Sequence, residues 1–164
     1  MSAQSRYGYS TPMGHAGGIV DLAPYAIDSF INEAENVKMK HGMGVVKGSI
    51  PGSNINVPNG SAIAEFEGIV TNNRTTEYDM DGNLSIRKGA SVGVMRYGRI
   101  YGRLANGVVP AYGEPVYLIV SGEEAGCFTN TEGEGAIAIK GRFRSGADAV
   151  SHVAMIELFN QAQE

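Results

Sequence analysis

The chain has 164 residues, a length that suits one domain with a substantial hydrophobic core. Hydrophobic residues make up 43% and charged residues 18% of the sequence, and this balance excludes an intrinsically disordered chain. The formal net charge is −4, whereas a dedicated nucleic-acid-binding protein is usually basic, so we expect no nucleic-acid partner.

The N-terminal segment predicts an extended arm. Residues 1–17 are polar, contain glycine and show the periodicity of neither a helix nor a strand, so we expect them to be mobile in the free protein. Tyr7 and Tyr9 would then serve as anchors on a binding partner. The segment lacks the apolar core of a signal peptide, and no later stretch is long and apolar enough to cross a bilayer. We therefore expect synthesis in the cytoplasm and no membrane partner.

The segment that follows the arm, residues 24–36, is ambiguous. Ile27, Phe30 and Ile31 have the spacing of one helix face. Ile27, Ser29 and Ile31 also alternate with polar residues in the manner of a strand. Periodicity alone leaves both alternatives open.

The remainder of the chain predicts an all-β fold. The sequence contains 23 glycines, and turn signals recur between short apolar runs at a spacing of roughly 8–12 residues. The runs are residues 62–70, 91–95, 100–104, 115–120, 136–140 and 152–159. We expect a compact antiparallel β-sandwich or small barrel, jelly-roll-like, as a single domain over residues 18–164, with the extended N-terminal arm outside it.

The basic and aromatic stretch Ser91–Arg103 predicts a hairpin. Tyr97 and Gly98 would form its tip, because glycine at the second turn position permits a positive φ. Arg96 and Arg99 would then face each other across the strands, where like charges repel slightly. Arginine and tyrosine are enriched at protein interfaces, so a protein contact, a solvated strand end and a nucleic-acid contact are the three interpretations, the last disfavoured by the net charge.

The sequence contains no recognisable catalytic or metal-binding signature. The segment "DMDGN" at 79–83 suggests a calcium loop, but its glycine stands at the fourth position instead of the sixth. His15, His41 and His152 lie far apart and flank no zinc-type pattern. Cys127 is the single cysteine, which excludes an intramolecular disulfide, and we expect it to pack at a strand end. We therefore predict no catalytic residues, no cofactor and no metal.

A series of stretches in a fixed order is more informative than any single motif. They are "GIVDLAPYAIDSF" (18–30), "AENVKMKHGMGVVKG" (34–48), "FEGIVTNN" (66–73), "SVGVMRYGRIYG" (91–102), "YGEPVYLIV" (112–120), "GCFTN" (126–130) and "IKGRFRSGADAVSHVAMIEL" (139–158). In this order they resemble the structural cement, or capsid decoration, proteins of tailed bacteriophages. The long polar N-terminus and the insertion "TTEYDMDGN" at 75–83 depart from the family pattern.

The resemblance implies a β-rich protein without catalytic activity that lies on the outer capsid surface of the virion. It implies the major capsid protein as partner, self-association as a homodimer or homotrimer, synthesis in the host cytoplasm, and a strand near residues 27–33. The candidate interface residues are Tyr7, Tyr9, Arg96, Tyr97, Arg99 and Tyr101. The alternative is another β-rich virion binding module, either tail-fibre-associated or receptor-binding.

Overall fold

The computed structural model describes residues 13–35, 38–60, 65–72, 77–78 and 84–160. The strands in these ranges are β1 (Ala26–Asn32), β2 (Gly44–Lys47), β3 (Asn54–Asn56), β4 (Phe66–Val70), β5 (Glu77–Tyr78), β6 (Leu84–Ser85), β7 (Ser91–Arg103), β8 (Pro115–Ile119), β9 (Phe128–Thr129), β10 (Ala136–Phe143) and β11 (Val153–Leu158). The same ranges contain no helix, and hence none that could cross a membrane. The predicted all-β fold is confirmed.

Five of the strands form a closed barrel. They follow the order β1-β3-β2-β4-β7, and β1 also pairs with β7, which closes the ring. Within the ring β1 and β3 are parallel, and the other pairings are antiparallel. Beyond β7 the sheet continues in the order β11-β10-β8-β9, with antiparallel pairings. The long strand β7 is therefore shared by the barrel and the second sheet.

Two apolar clusters occupy opposite faces of β2, β4 and β7. The cluster inside the barrel takes residues from every strand of the ring: Phe30, Val45, Ile55, Val70, Val92 and Val94. The second cluster lies on the outer face of these strands. It contains Val46, Ile69 and Met95, which neighbour Val45, Val70 and Val94 in the chain, together with residues of the second sheet: Leu118, Phe128, Phe143 and Ile156. Because successive side chains of a strand point to opposite faces, the neighbours Val45 and Val46, Ile69 and Val70, and Val94 and Met95 bury these three strands on both sides where the clusters meet.

The predicted hairpin at Ser91–Arg103 is wrong, because this stretch is one continuous strand. Its first half pairs with β1, and its second half, from Gly98 onward, pairs with β11. Gly98 lies at this change of partner and has a φ of 125°. Gly98 thus adopts a positive φ inside a continuous strand. A hairpin turn at this residue would require a positive φ as well, so the glycine alone does not distinguish the two.

Within the ambiguous segment 24–36, the described residues Ala26–Asn32 form strand β1, as the resemblance implied. Phe30 and Asn32 are buried, and the Asn32 side chain ties β1 to the segment before β7. Its Nδ2 donates to Ile86 O at 3.1 Å, and its Oδ1 accepts from Ala34 N at 2.8 Å. Pairing with β3 and β7 favours the strand over the helix that the apolar spacing also allowed.

The described part of the predicted arm lies against the body of the protein. Met13 N donates to Asp148 Oδ2 at 2.9 Å. Gly17 is buried, and its N donates to Tyr101 O at 2.8 Å. Residues 1–12 lie outside the described residues. The division into an arm of residues 1–17 and a domain of 18–164 stays a prediction.

Candidate protein interface

Arg96 is held by two carboxylates of its own chain. Its Nη2 lies 3.2 Å from Glu67 Oε1, and its Nη1 lies 3.5 Å from Asp28 Oδ2. Glu67 is only 3% exposed, whereas the Arg96 side chain remains 38% exposed. A buried carboxylate requires a cationic partner, so Arg96 has a structural role. The predicted repulsion between Arg96 and Arg99 across a hairpin does not arise, because both lie on one strand.

Arg99 belongs to a charged network around Glu157 of β11. Its Nη1 lies 2.7 Å from Asp21 Oδ2, and its Nε lies 3.4 Å from Glu157 Oε1. Arg142 and Arg144 contact the same Glu157 carboxylate at 2.7 and 3.3 Å. Partial burial acts to raise the pKa of Glu157, yet the surrounding arginines, Arg142 foremost, hold it below its ordinary value. The charge of Arg99 is thus balanced within the chain.

The two tyrosines of β7 have different surroundings. Tyr101 is half-buried beneath the segment that precedes β1: a Cβ at Gly14 would lie 2.5 Å from the Tyr101 ring, and Tyr101 N donates to Gly18 O at 3.0 Å. Tyr97, in contrast, is 43% exposed. Tyr97 can therefore contact a partner, whereas Tyr101 mainly packs the N-terminal segment onto the domain.

We define the apolar patch as Leu22, Tyr25, Tyr97 and Phe159. Tyr97 and Phe159 line one depression, Tyr25 lies against Gly98, and Leu22 precedes Ala23, which lines the same depression. Leu22 is 95% exposed, Tyr25 47% and Phe159 45%. The depression is shallow, with a volume of about 130 Å³, and Arg99 lies beside Tyr97 and Phe159. Apolar groups rimmed by charged residues are typical of protein contact surfaces.

A larger cleft lies at the C-terminal end of β7. Its volume is about 530 Å³, and its lining includes Arg103, Lys38 and Lys40 together with the apolar side chains of Met43 and Val57. We call it the basic cleft.

The family model described as "Structural cement protein (E217 gp24/Pam3 gp6)" matches residues 3–159. The chain belongs to this family. Among solved structures, it is similar to a chain of "The capsid of Myoviridae Phage XM1", with 20% identity, a TM-score of 0.74, and coverage of 99% of this chain and 100% of that chain. This likeness shows a shared fold, and no curated protein matches the sequence.

The candidate residues of this cement protein are only partly brought together. Tyr97 and Arg99 line the same depression, Arg96 is engaged with Glu67, and Tyr101 is half-buried. Tyr7 and Tyr9 fall inside the matched region but outside the described residues. The interface assignment of all six therefore stays a prediction.

Sequence reasoning missed Arg103, the third arginine of the same stretch. It lines the basic cleft, and its Nε donates to His41 O at 2.7 Å. The spacing was an available signal. Arg99, Tyr101 and Arg103 are two residues apart from one another, so their side chains share one face of a strand.

Within the described residues of the cement protein, no group of three or more His, Cys, Asp or Glu is placed to hold a metal ion. Burial raises the pKa of the Cys127 thiol, so it remains protonated at neutral pH, unlike a nucleophilic cysteine. His15 and His152 are exposed. The suggested calcium loop at 79–83 lies outside the described residues.

His41 is a buried, neutral histidine. It is 8% exposed, and its Nδ1 lies 3.0 Å from Thr71 O, so Nδ1 carries the proton and donates. Its Nε2 is buried without a partner in the described structure. Burial, assisted by the nearby charges of Arg103 and His15, lowers the pKa of His41 below its usual 6.5.

We predict a stability loss at mildly acidic pH that depends on His41. The unfolded chain binds a proton below pH 6.5 that the folded chain resists, so the free energy of unfolding falls as pH drops below that value. The slope for one such group is at most about 1.4 kcal/mol per pH unit. Urea unfolding between pH 5 and 8 should show a flatter profile for His41→Asn, which retains the donor to Thr71. The exposed control His152→Asn should follow the wild type, and parallel profiles for all three proteins would contradict this role of His41.

Proposed function

We propose that this cement protein binds the outer surface of an assembled phage capsid as a homodimer or homotrimer and stabilises contacts between major capsid protein subunits. The family match over residues 3–159 carries the proposal, because it spans the barrel and the second sheet. The protein acts by binding alone, without catalysis, cofactor, metal, nucleic acid or membrane. The same match favours the cement role over a tail-fibre-associated or receptor-binding module.

The fold supports a role of this kind. The barrel ring is closed, so its five strands offer no free edge for uncontrolled pairing. The strands shared by the two clusters are buried on both faces, which gives a tightly packed body. Such a body suits a shell with many equivalent binding sites. An oligomer that touches several subunits at once gains affinity through effective concentration.

The apolar patch is the surface that we assign to the protein contact. Leu22 is almost fully exposed and Tyr97 nearly half exposed, so their burial against a partner would remove apolar area from water. Arg99 lines the same depression as Tyr97, and its carboxylate partner Asp21 fixes it in place as part of a charged rim. Pre-ordered side chains lose less conformational entropy when a partner binds.

The arm is the second contact that we assign. Met13 is held at Asp148, so residues 1–12 would reach a neighbouring capsid subunit from that point, with Tyr7 and Tyr9 as anchors. An arm that orders on the shell adds contact area without altering the β domain. Deleting residues 1–12 should therefore reduce shell occupancy while leaving the melting temperature of the free protein nearly unchanged.

Replacing Leu22 and Tyr97 together with serine should weaken capsid binding by roughly tenfold to a hundredfold, because anchor residues dominate such contacts. The fold should survive, since both side chains are exposed. Wild type and variant would be titrated onto capsid shells assembled without the protein. Occupancy is measured by co-sedimentation and cryo-electron microscopy, and the shell disruption temperature by calorimetry. The wild type should raise that temperature.

Ile50→Ser provides the matched control, because Ile50 is 58% exposed in a turn and lies outside the apolar patch. This variant should bind shells like the wild type. Equal weakening by Ile50→Ser and by the double variant would contradict the assignment of the patch. A wild-type protein that neither sediments with shells nor raises their disruption temperature would contradict the cement role itself.

A further inference from the structure

The basic cleft contains cationic side chains that take part in none of the ion pairs among the described residues. The ion pairs of the described residues use Lys47, Lys88, Arg96, Arg99, Arg142 and Arg144. Lys38, Lys40 and Arg103 take part in none of these pairs, and all three line the cleft. Glu123 is the single acid among the described residues that line it. In a chain with a net charge of −4, this cleft is a local positive site.

Arg103 is prepared to receive an anion. Its Nε donates to His41 O at 2.7 Å, which fixes the guanidinium plane, and among the described residues no hydrogen bond engages its two terminal nitrogens. Burial acts to lower the pKa of Arg103, and no carboxylate of the described residues offsets it. An arginine nevertheless remains charged, so its partial desolvation is unfavourable until an anion binds.

The size and walls of the cleft indicate what kind of anion fits. A volume of about 530 Å³ accommodates a side chain with its flanking backbone and is much larger than a lone ion requires. Met43 and Pro58 provide apolar wall, which suits the methylene groups of an acidic side chain. Cys127 lines the cleft as a neutral thiol and adds no negative charge.

We infer that the basic cleft binds an acidic segment of the capsid subunit. Arg103 would bind a Glu or Asp carboxylate of this segment, and Lys38 and Lys40 would contact the same segment. This inference rests on the proposed function, because it takes the partner from the shell. It adds a charge-dependent contact that is distinct from the apolar patch, and predicts that shell binding weakens as salt concentration rises.

Cys127 serves as a reporter of cleft occupancy, because it is the single cysteine of the chain. Its alkylation by N-ethylmaleimide would be timed in the free protein with hexaglutamate, with hexaglutamine, or with no peptide. Hexaglutamate should slow the reaction several-fold, and hexaglutamine should leave it unchanged. The protection should disappear in Arg103→Gln. Because this substitution also changes the charge near the thiol, the rates with and without peptide are compared within each protein.

Shell binding tests the same contact with the natural partner. Arg103→Gln and the double variant Lys38→Gln/Lys40→Gln should each lower the affinity for shells by roughly tenfold at physiological salt. Both lysines are exposed, so the double variant tests the cleft even if loss of the Arg103 hydrogen bond disturbs folding. Lys88→Gln removes one charge, as Arg103→Gln does, at an exposed position outside the cleft and should bind like the wild type.

The outcomes separate the two proposals. Failure of the wild type to bind shells would contradict the proposed function. Shell binding that is equal in wild type and cleft variants, or an alkylation rate that hexaglutamate leaves unchanged, would overturn the cleft assignment alone. Protection of Cys127 that grows with protein concentration in the absence of peptide would also overturn it, since the occupant would then be a second copy of this chain.

Discussion

Replacing Arg96 with methionine should lower the free energy of unfolding by about 3 kcal/mol, the cost of leaving a buried charge without its partner. Glu67 is 3% exposed and would lose the guanidinium nitrogen that lies 3.2 Å from its carboxylate. Asp28, whose side chain is 54% exposed, would lose little, because water replaces its partner. Denaturant unfolding at neutral pH, followed by circular dichroism, measures the change.

A second substitution identifies the cause of that loss. Glu67→Gln, combined with Arg96→Met, should restore most of the stability, because the amide removes the unpaired buried charge. Lys88→Met is the control: it breaks the exposed pair with Glu35 and should change the free energy of unfolding by less than about 1 kcal/mol. Equal losses for Arg96→Met and Lys88→Met would show that Glu67 does not depend on Arg96.

The sequence predicted the strands of this fold better than their connections. The apolar runs at 115–120, 136–140 and 152–159 correspond to β8, β10 and β11, because alternation and β-branched residues are local signals. The barrel and its shared strand could not be predicted, since β7 pairs with β1, β4 and β11, which come from distant parts of the chain. No local sequence pattern indicates which strands will pair with each other.

The predicted repulsion between Arg96 and Arg99 was wrong for a related reason. Their partners Glu67 and Glu157 are far away in sequence. Whether an arginine is paired or available depends on which carboxylates the topology brings to it. Arg103 is an arginine like the other two. Only the tertiary structure distinguishes it, because the fold places it in the basic cleft.

Replacing Gly98 with alanine should lower the free energy of unfolding by about 3 kcal/mol or more, through backbone strain and overpacking together. Its φ of 125° is a conformation that residues with a Cβ rarely adopt. The added Cβ would also lie 2.6 Å from Tyr25 Cβ and 3.2 Å from Tyr25 Cα, so the backbone before β1 would have to move. Thermal and denaturant unfolding of the purified variant measure the loss.

Two other glycines separate strain from crowding. Gly113 has a φ of 88° with no atom within 4 Å of an added Cβ, so Gly113→Ala isolates strain and should lower the free energy of unfolding by about 1 kcal/mol. Gly133 has neither a positive φ nor a close neighbour, and Gly133→Ala should be neutral or slightly stabilising. The comparison also tests the continuous strand at Ser91–Arg103. An exposed hairpin tip would make Gly98→Ala no more costly than Gly113→Ala, whereas a strand packed on Tyr25 makes it clearly more costly, because strain and crowding then act at the same residue.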